Sequence, residues 1–148
     1  MATPLAATVV VASASSADRS WLRRILEASG EYLVVDEATD GVQAIDQVVR
    51  HLPDALVIDL PIAPLSGVEV IPSVRSRSPG TAVVLLAEPS MEAALRVGRW
   101  LGAMGSITRQ ESAERIRSTV RAACSVSAAT APAALTASAA VQGTPGLR

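Results

Sequence analysis

Few side chains in this sequence can do chemistry, and the types that are absent narrow the field as much as those present. All 13 basic residues are arginine, so no lysine can act as a catalytic or phosphate-sensing group. One histidine, His51, and one cysteine, Cys124, cannot build a metal cage, and a lone thiol excludes an internal disulfide and fits a reducing compartment. Ser13 has no base placed to activate it, because His51 falls at the far end of a separate helical segment. No nucleophile–base pair and no phosphate-cradling glycine loop is present, which argues against a hydrolase or a kinase. What remains is a carboxylate, Asp59, ending an apolar run, with Glu88 and Arg109 as charged side chains that could face it.

The surroundings of those residues are bounded by composition. The 148 residues suit about one domain; 49% are apolar, only 2% are aromatic and none is phenylalanine, so the core must be aliphatic. Thirteen basic residues against 14 acidic ones leave a net charge of -1, with no local excess of cations to grip a phosphate backbone, so direct nucleic-acid binding is not expected. No stretch reaches the roughly 18 apolar residues of a membrane span. Leu5 to Ala12 followed by Ala12-Ser13-Ala14 imitates an export signal, but no Lys or Arg precedes it and a buried strand explains the same residues; the protein is expected to be cytoplasmic.

Short continuous apolar runs alternate with helical periods. The runs are Thr8 to Ala12, Tyr32 to Val35, Ala55 to Leu60, Ala82 to Ala87 and a weaker Met104 to Ile107. Continuous hydrophobicity marks strands covered on both faces, as in a parallel sheet. The helical faces expected between them are Leu22, Ile25, Leu26 and Ser29 ended by Gly30; Val42, Ile45, Val48 and Val49 capped by Asp40; Val68 to Val74, interrupted by Pro72; Met91, Ala94, Val97, Gly98 and Leu101; and Ala113, Ile116, Val120 and Ala123, with Thr108 and Glu111 as a capping box. Residues 1 to 7 are expected to form an N-terminal extension and residues 8 to 124 one domain. Residues 125 to 148, mostly Ala, Ser, Thr, Pro and Gly with a single charge at Arg148, are expected to be a flexible, disordered tail. Five strand–helix alternations predict an α/β, doubly wound five-stranded parallel sheet, with function gathered at the carboxyl ends of the strands: Ser13 and Ala14, Asp59, Ala87 and Glu88, Thr108 and Arg109.

With those positions set, residues 8 to 123 resemble the response-regulator receiver domain of two-component signalling. The resemblance lies in Glu37-Ala38-Thr39-Asp40-Gly41-Val42-Gln43-Ala44, in Pro53-Asp54-Ala55-Leu56-Val57-Ile58-Asp59 with Gly67 eight residues on, and in Gly102-Ala103-Met104-Gly105. It implies a flavodoxin-like sheet ordered 2-1-3-4-5 and assigns Asp59 as the candidate phosphoacceptor. Phosphoryl transfer there rests on positioning and on neutralisation by Mg²⁺ and a cation. The family's acidic pair corresponds to Ser13 and Ala14, its switch hydroxyl to Ala87, its lysine to Arg109, its aromatic switch to Ser106, and the Met-Pro after the acceptor to Ile62-Ala63.

The resemblance therefore implies an atypical receiver, or pseudo-receiver, acting in bacterial signal transduction through protein contacts, not as an enzyme, with no metal site and no cofactor. Mg²⁺ enters only on the alternative that Asp59 still accepts phosphate, with Glu88 and Arg109 as substitutes. A further alternative is the regulatory domain of a DNA-binding transcriptional regulator. Asp59 can also simply solvate its strand end or pair with Arg109. Glu88 reads as a solvated loop acid, His51 as a cation at a helix C-terminus and Cys124 as an inert thiol. Trp100, beside Arg96 and Arg99 at the flank of the fourth helix, has the composition of an interface anchor, as an alternative to covering the core edge as Trp21 does. The expected partner is a histidine kinase, an output domain or another signalling protein, or a second copy across the face of the fourth helix, fifth strand and fifth helix.

Overall fold

The structure is a computed structural model and describes residues 5–62 and 64–130. Five parallel strands, β1 (Ala7–Ala12), β2 (Tyr32–Ala38), β3 (Ala55–Asp59), β4 (Ala82–Leu86) and β5 (Gly105–Ile107), are ordered β2-β1-β3-β4-β5. The helices are α1 (Ser16–Glu27), α2 (Gly41–His51), α3 (Gly67–Arg77), α4 (Glu92–Leu101) and α5 (Ala113–Thr130), with a 3-10 turn, Pro89–Met91, leading into α4. This is the doubly wound parallel sheet expected from the alternation, in the strand order that the resemblance implied.

The continuous apolar runs have a direct cause. Successive residues of a strand point to opposite faces, and both faces are covered. Val10, Ala12, Leu56 and Ile58 pack beneath α2, α3 and α4, while Val9, Val11, Ala55 and Val57 pack beneath α1 and α5. Asp40 caps α2 through Gln43 N–H, and Gly30 carries the positive φ that turns the chain out of the α1 region.

Several sequence expectations need correction. Ser29 lies beyond the end of α1 and is exposed. Val42 points outward and Ala44 takes its place in the core. On α4 the buried residues are Leu95 and Gly98, and Val97 is exposed. The rest of the expected face holds: Gly98 is buried, and Met91, Ala94 and Leu101 pack partly buried against the core, so the exchange of Leu95 for Val97 is the one departure on this face. Helix α3 extends past Val74 to Arg77 despite Pro72, starting from a complete Ser66–Glu69 capping box. The proposed Thr108–Glu111 box is only half formed: Glu111 accepts from Thr108 N–H, but Ser112 Oγ, accepting from Arg115 N–H, caps α5. Helix α5 runs six residues past Cys124, because Ser127 is buried and its Oγ donates to Gly80 O at 3.0 Å, anchoring the added turn to the start of β4. The remainder of the expected tail, 131–148, lies outside the described residues, as do residues 1–4 of the expected extension. Among the described residues no helix is long and apolar enough to cross a membrane.

Candidate functional site

Of the positions selected in the sequence, Ser13, Ala14, Asp59, Ala87, Glu88 and Arg109 lie at the carboxyl edge of the sheet. β3 is buried throughout and ends in Asp59, in register with Leu86 of β4 and 8% exposed. Gly67 allows the chain to return over this strand end, since a Cβ there would lie 3.0 Å from Asp59 O and 3.1 Å from Leu60 Cα. β1 delivers Ser13, fully buried; its Oγ donates to Asp59 Oδ2 at 3.2 Å and accepts from Ser15 N–H at 3.1 Å. Ala14 is exposed, and Ala87 is buried at the end of β4.

Arg109, two residues beyond β5, dominates the site. Its Nε and Nη2 donate to Asp18 Oδ1 and Oδ2 at 3.2 and 2.6 Å, a two-point grip on the first turn of α1. Nη1 donates to Glu88 Oε1 at 2.5 Å, and Nη2 also reaches Asp59 Oδ2 at 3.5 Å. One guanidinium thus links α1, the end of β3 and the turn into α4. The hydrogen bonds to Asp18 hold Arg109 still more firmly protonated than an ordinary arginine. Burial pushes the Asp59 carboxyl above its usual range, against the lowering pull of Arg109 and Ser13. Its Oδ1 is buried and has no hydrogen-bond partner among the described residues.

Magnesium needs several hard oxygen donors arranged around open coordination positions. Here Ser13 offers a hydroxyl whose proton is committed to Asp59, Ala14 offers nothing, and the carboxylates of Asp18 and Glu88 are engaged by Arg109. Among the described residues no group of three His, Cys, Asp or Glu side chains is placed to hold a metal.

Asp18 was not singled out in the sequence, where an acid in the first turn of a helix is an ordinary partner of the helix dipole. Its pairing with a residue 91 positions away arises only when the sheet is folded. Glu88, expected to be a solvated loop acid, is instead an ion-pair partner of Arg109. Arg19 is a further unforeseen neighbour, donating to Ser13 O at 2.7 Å while paired with Glu37. His51 lies away from the site and meets Asp36 at 2.9 Å. Burial pushes the Cys124 thiol up to about 11, consistent with an inert thiol, and its Sγ faces Asp54 O at the opposite edge of the sheet.

Trp100 is 85% exposed on α4, near the exposed Arg96 and Arg99, the latter 3.8 Å from Glu92. Trp21, by contrast, is partly buried against the core. An open groove of about 570 Å³, whose lining includes Met104, Arg115, Thr119 and Ala122, lies on the β5–α5 side.

Residues 9–121 match the family model of the response regulator receiver domain. The chain belongs to the response-regulator receiver family. Curated relatives of this receiver domain include the oxygen regulatory protein NreC of Staphylococcus carnosus, 32% identical over 114 residues, which are 76% of this chain and 52% of NreC. The probable transcriptional regulatory protein NarL of Mycobacterium tuberculosis is 30% identical over 112 residues, again 76% of this chain and 52% of the relative. The receiver domain therefore spans about half the length of the curated relatives it matches. Among solved structures, the signal receiver domain of the putative response regulator NarL from Mycobacterium tuberculosis superposes with a TM-score of 0.76 at 30% identity, covering 82% of this chain and 98% of that one.

Proposed function

We propose that this receiver domain works as a pseudo-receiver: a cytoplasmic binding module, not an enzyme, that signals or scaffolds through protein contacts without Mg²⁺-dependent phosphorylation of Asp59. The observation that carries the reading is the Arg109 guanidinium, bonded to Asp18 and Glu88 and in reach of Asp59, at a site where Ser13 and Ala14 supply no carboxylate. A phosphoryl donor and its metal would have to displace a charge-assisted network before reaching Asp59. The absence of a hydroxyl at Ala87 supports the same reading, because no side chain there can follow a phosphoryl oxygen.

The contacts would be made by the face of α4, β5 and α5. Trp100 is a rigid, largely exposed aromatic on α4, and the groove between Met104 and α5 offers a recess on the same face for a second copy or for a histidine kinase, an output domain or another signalling protein. Direct contact with nucleic acid is not part of the proposal.

Incubation with Mg²⁺ and acetyl phosphate, or with beryllofluoride, while amide shifts around Asp59 are followed, tests the reading. No saturable change is expected. A saturable response that disappears in Asp59→Asn refutes it and establishes the conventional phosphoacceptor in its place.

A further inference from the structure

In this chain the connection between the end of β3 and helix α4 runs through side chains other than a hydroxyl at position 87. Asp59 meets Arg109 at 3.5 Å, Arg109 meets Glu88 at 2.5 Å, and Glu88 immediately precedes the 3-10 turn that opens α4. That turn is otherwise thinly held. Neither its own N-terminus nor that of α4 has a side-chain cap, and Met91 N–H donating to Glu88 O at 3.0 Å closes it. The partner residues of Arg109 are themselves fixed: Asp59 by the fully buried β3, and Asp18 by a helix whose Ser15 cap accepts from its N–H at 3.2 Å. Force applied to Glu88 is therefore resisted by α1 and β3 together.

We infer that Glu88, acting through Arg109, is a positioning residue that holds the turn into α4 in one conformation, so that the α4 surface carrying Trp100 is presented constitutively. The device is a strut made permanently within the chain. Its permanence rests on the pseudo-receiver reading, since phosphorylation of Asp59 would displace the Arg109 network, and beryllofluoride titration of the wild-type chain tests that reading separately from the exchange measurements.

Amide hydrogen exchange of the full chain, followed by NMR, tests the strut at two probes. Met91 N–H reports on the turn into α4, and Arg19 N–H, which donates to Ser15 O at 3.1 Å, reports on the first turn of α1. In Glu88→Gln, exchange at Met91 and in the first turn of α4 is expected to accelerate roughly two- to fivefold, with Arg19 unchanged. In Asp18→Asn the pattern reverses, and in Arg109→Met both ends accelerate. Unchanged exchange at Met91 in both Glu88→Gln and Arg109→Met overturns the inference. So does equal acceleration across the whole sheet in Glu88→Gln, because that is global destabilisation and not release of one turn. The near-isosteric Glu88→Gln keeps the test decisive should Arg109→Met not fold.

Discussion

Removing the guanidinium with Arg109→Met probes the clamp directly, because methionine keeps much of the aliphatic stem. Its three carboxylate partners should not contribute equally. The Glu88 side chain is 38% exposed, so water screens the pair and its loss should cost less than about 1 kcal/mol. Asp59 at 3.5 Å is at the limit of a hydrogen bond, but its side chain is only 11% exposed, and losing the neighbouring cation should cost up to about 1 kcal/mol. Asp18 is gripped at 2.6 and 3.2 Å with 19% of its side chain exposed, which places its contribution at about 1.5 kcal/mol, the lower end for hydrogen bonds to charged groups. The sum is a destabilisation of about 2–3 kcal/mol, or a fall in Tm of about 6–12 °C for a domain of this size. Urea unfolding should show the midpoint falling with the slope m unchanged. A double-mutant cycle should give Arg109 and Asp18 a coupling above about 1 kcal/mol and Arg109 and Glu88 a smaller one. Stability of Arg109→Met within about 0.5 kcal/mol of wild type refutes the reasoning, as does a larger coupling to Glu88 than to Asp18.

Asp59→Asn should be tolerated and should flatten the pH dependence of stability. Burial raises the folded-state pKa of Asp59, so the folded state holds its proton longer, and stability falls as pH rises from the unfolded-state value of about 4 through the folded one. Urea midpoints across that window check the sign, and a variant that loses stability on raising pH as steeply as wild type contradicts it. Trp100→Ala should leave the unfolding midpoint within about 0.5 kcal/mol of wild type yet weaken self-association or partner capture, read by sedimentation equilibrium and by titration with the cognate partner. Gly41→Ala should destabilise by about 1–3 kcal/mol in urea, because the added Cβ would sit 2.5 Å from Leu65 O and force the β3–α3 connection outward.

The sheet was legible because strands buried on both faces advertise themselves as unbroken apolar runs, and Asp59 was legible as the one acid closing the central run. The small residues at Ser13, Ala14 and Ala87 could be placed for the same reason, since each follows a strand whose end the pattern marks. Helix phase was less legible. On α4 the face of Met91, Ala94, Gly98 and Leu101 was legible, but Leu95 and Val97 are apolar residues at opposite edges of that arc, and composition alone does not say which of them turns inward. The end of α5 was missed because small residues such as Ser125, Ala128 and Ala129 look like linker until Ser127 finds a carbonyl on the β4 side. Asp18 was invisible for a stronger reason: its role depends on a contact spanning 91 positions, which no local pattern encodes.

The absence of lysine gains a physical meaning at this site. An ammonium is a compact point charge, whereas a guanidinium offers a planar fork of five N–H donors. Asp18 is bonded by Nε and Nη2, Glu88 by Nη1, and Asp59 by Nη2, so three nitrogens of one side chain serve three elements at once. A lysine at position 109 could approach one carboxylate closely, or two at longer range, but could not reproduce the two-point grip on Asp18 while reaching Glu88. Arg109→Lys should therefore keep the charge and still lose the link between α1 and the turn into α4. Hydrogen exchange at Arg19 and Met91 that stays at wild-type rates in this variant would show that charge alone, without the fork, holds the site together.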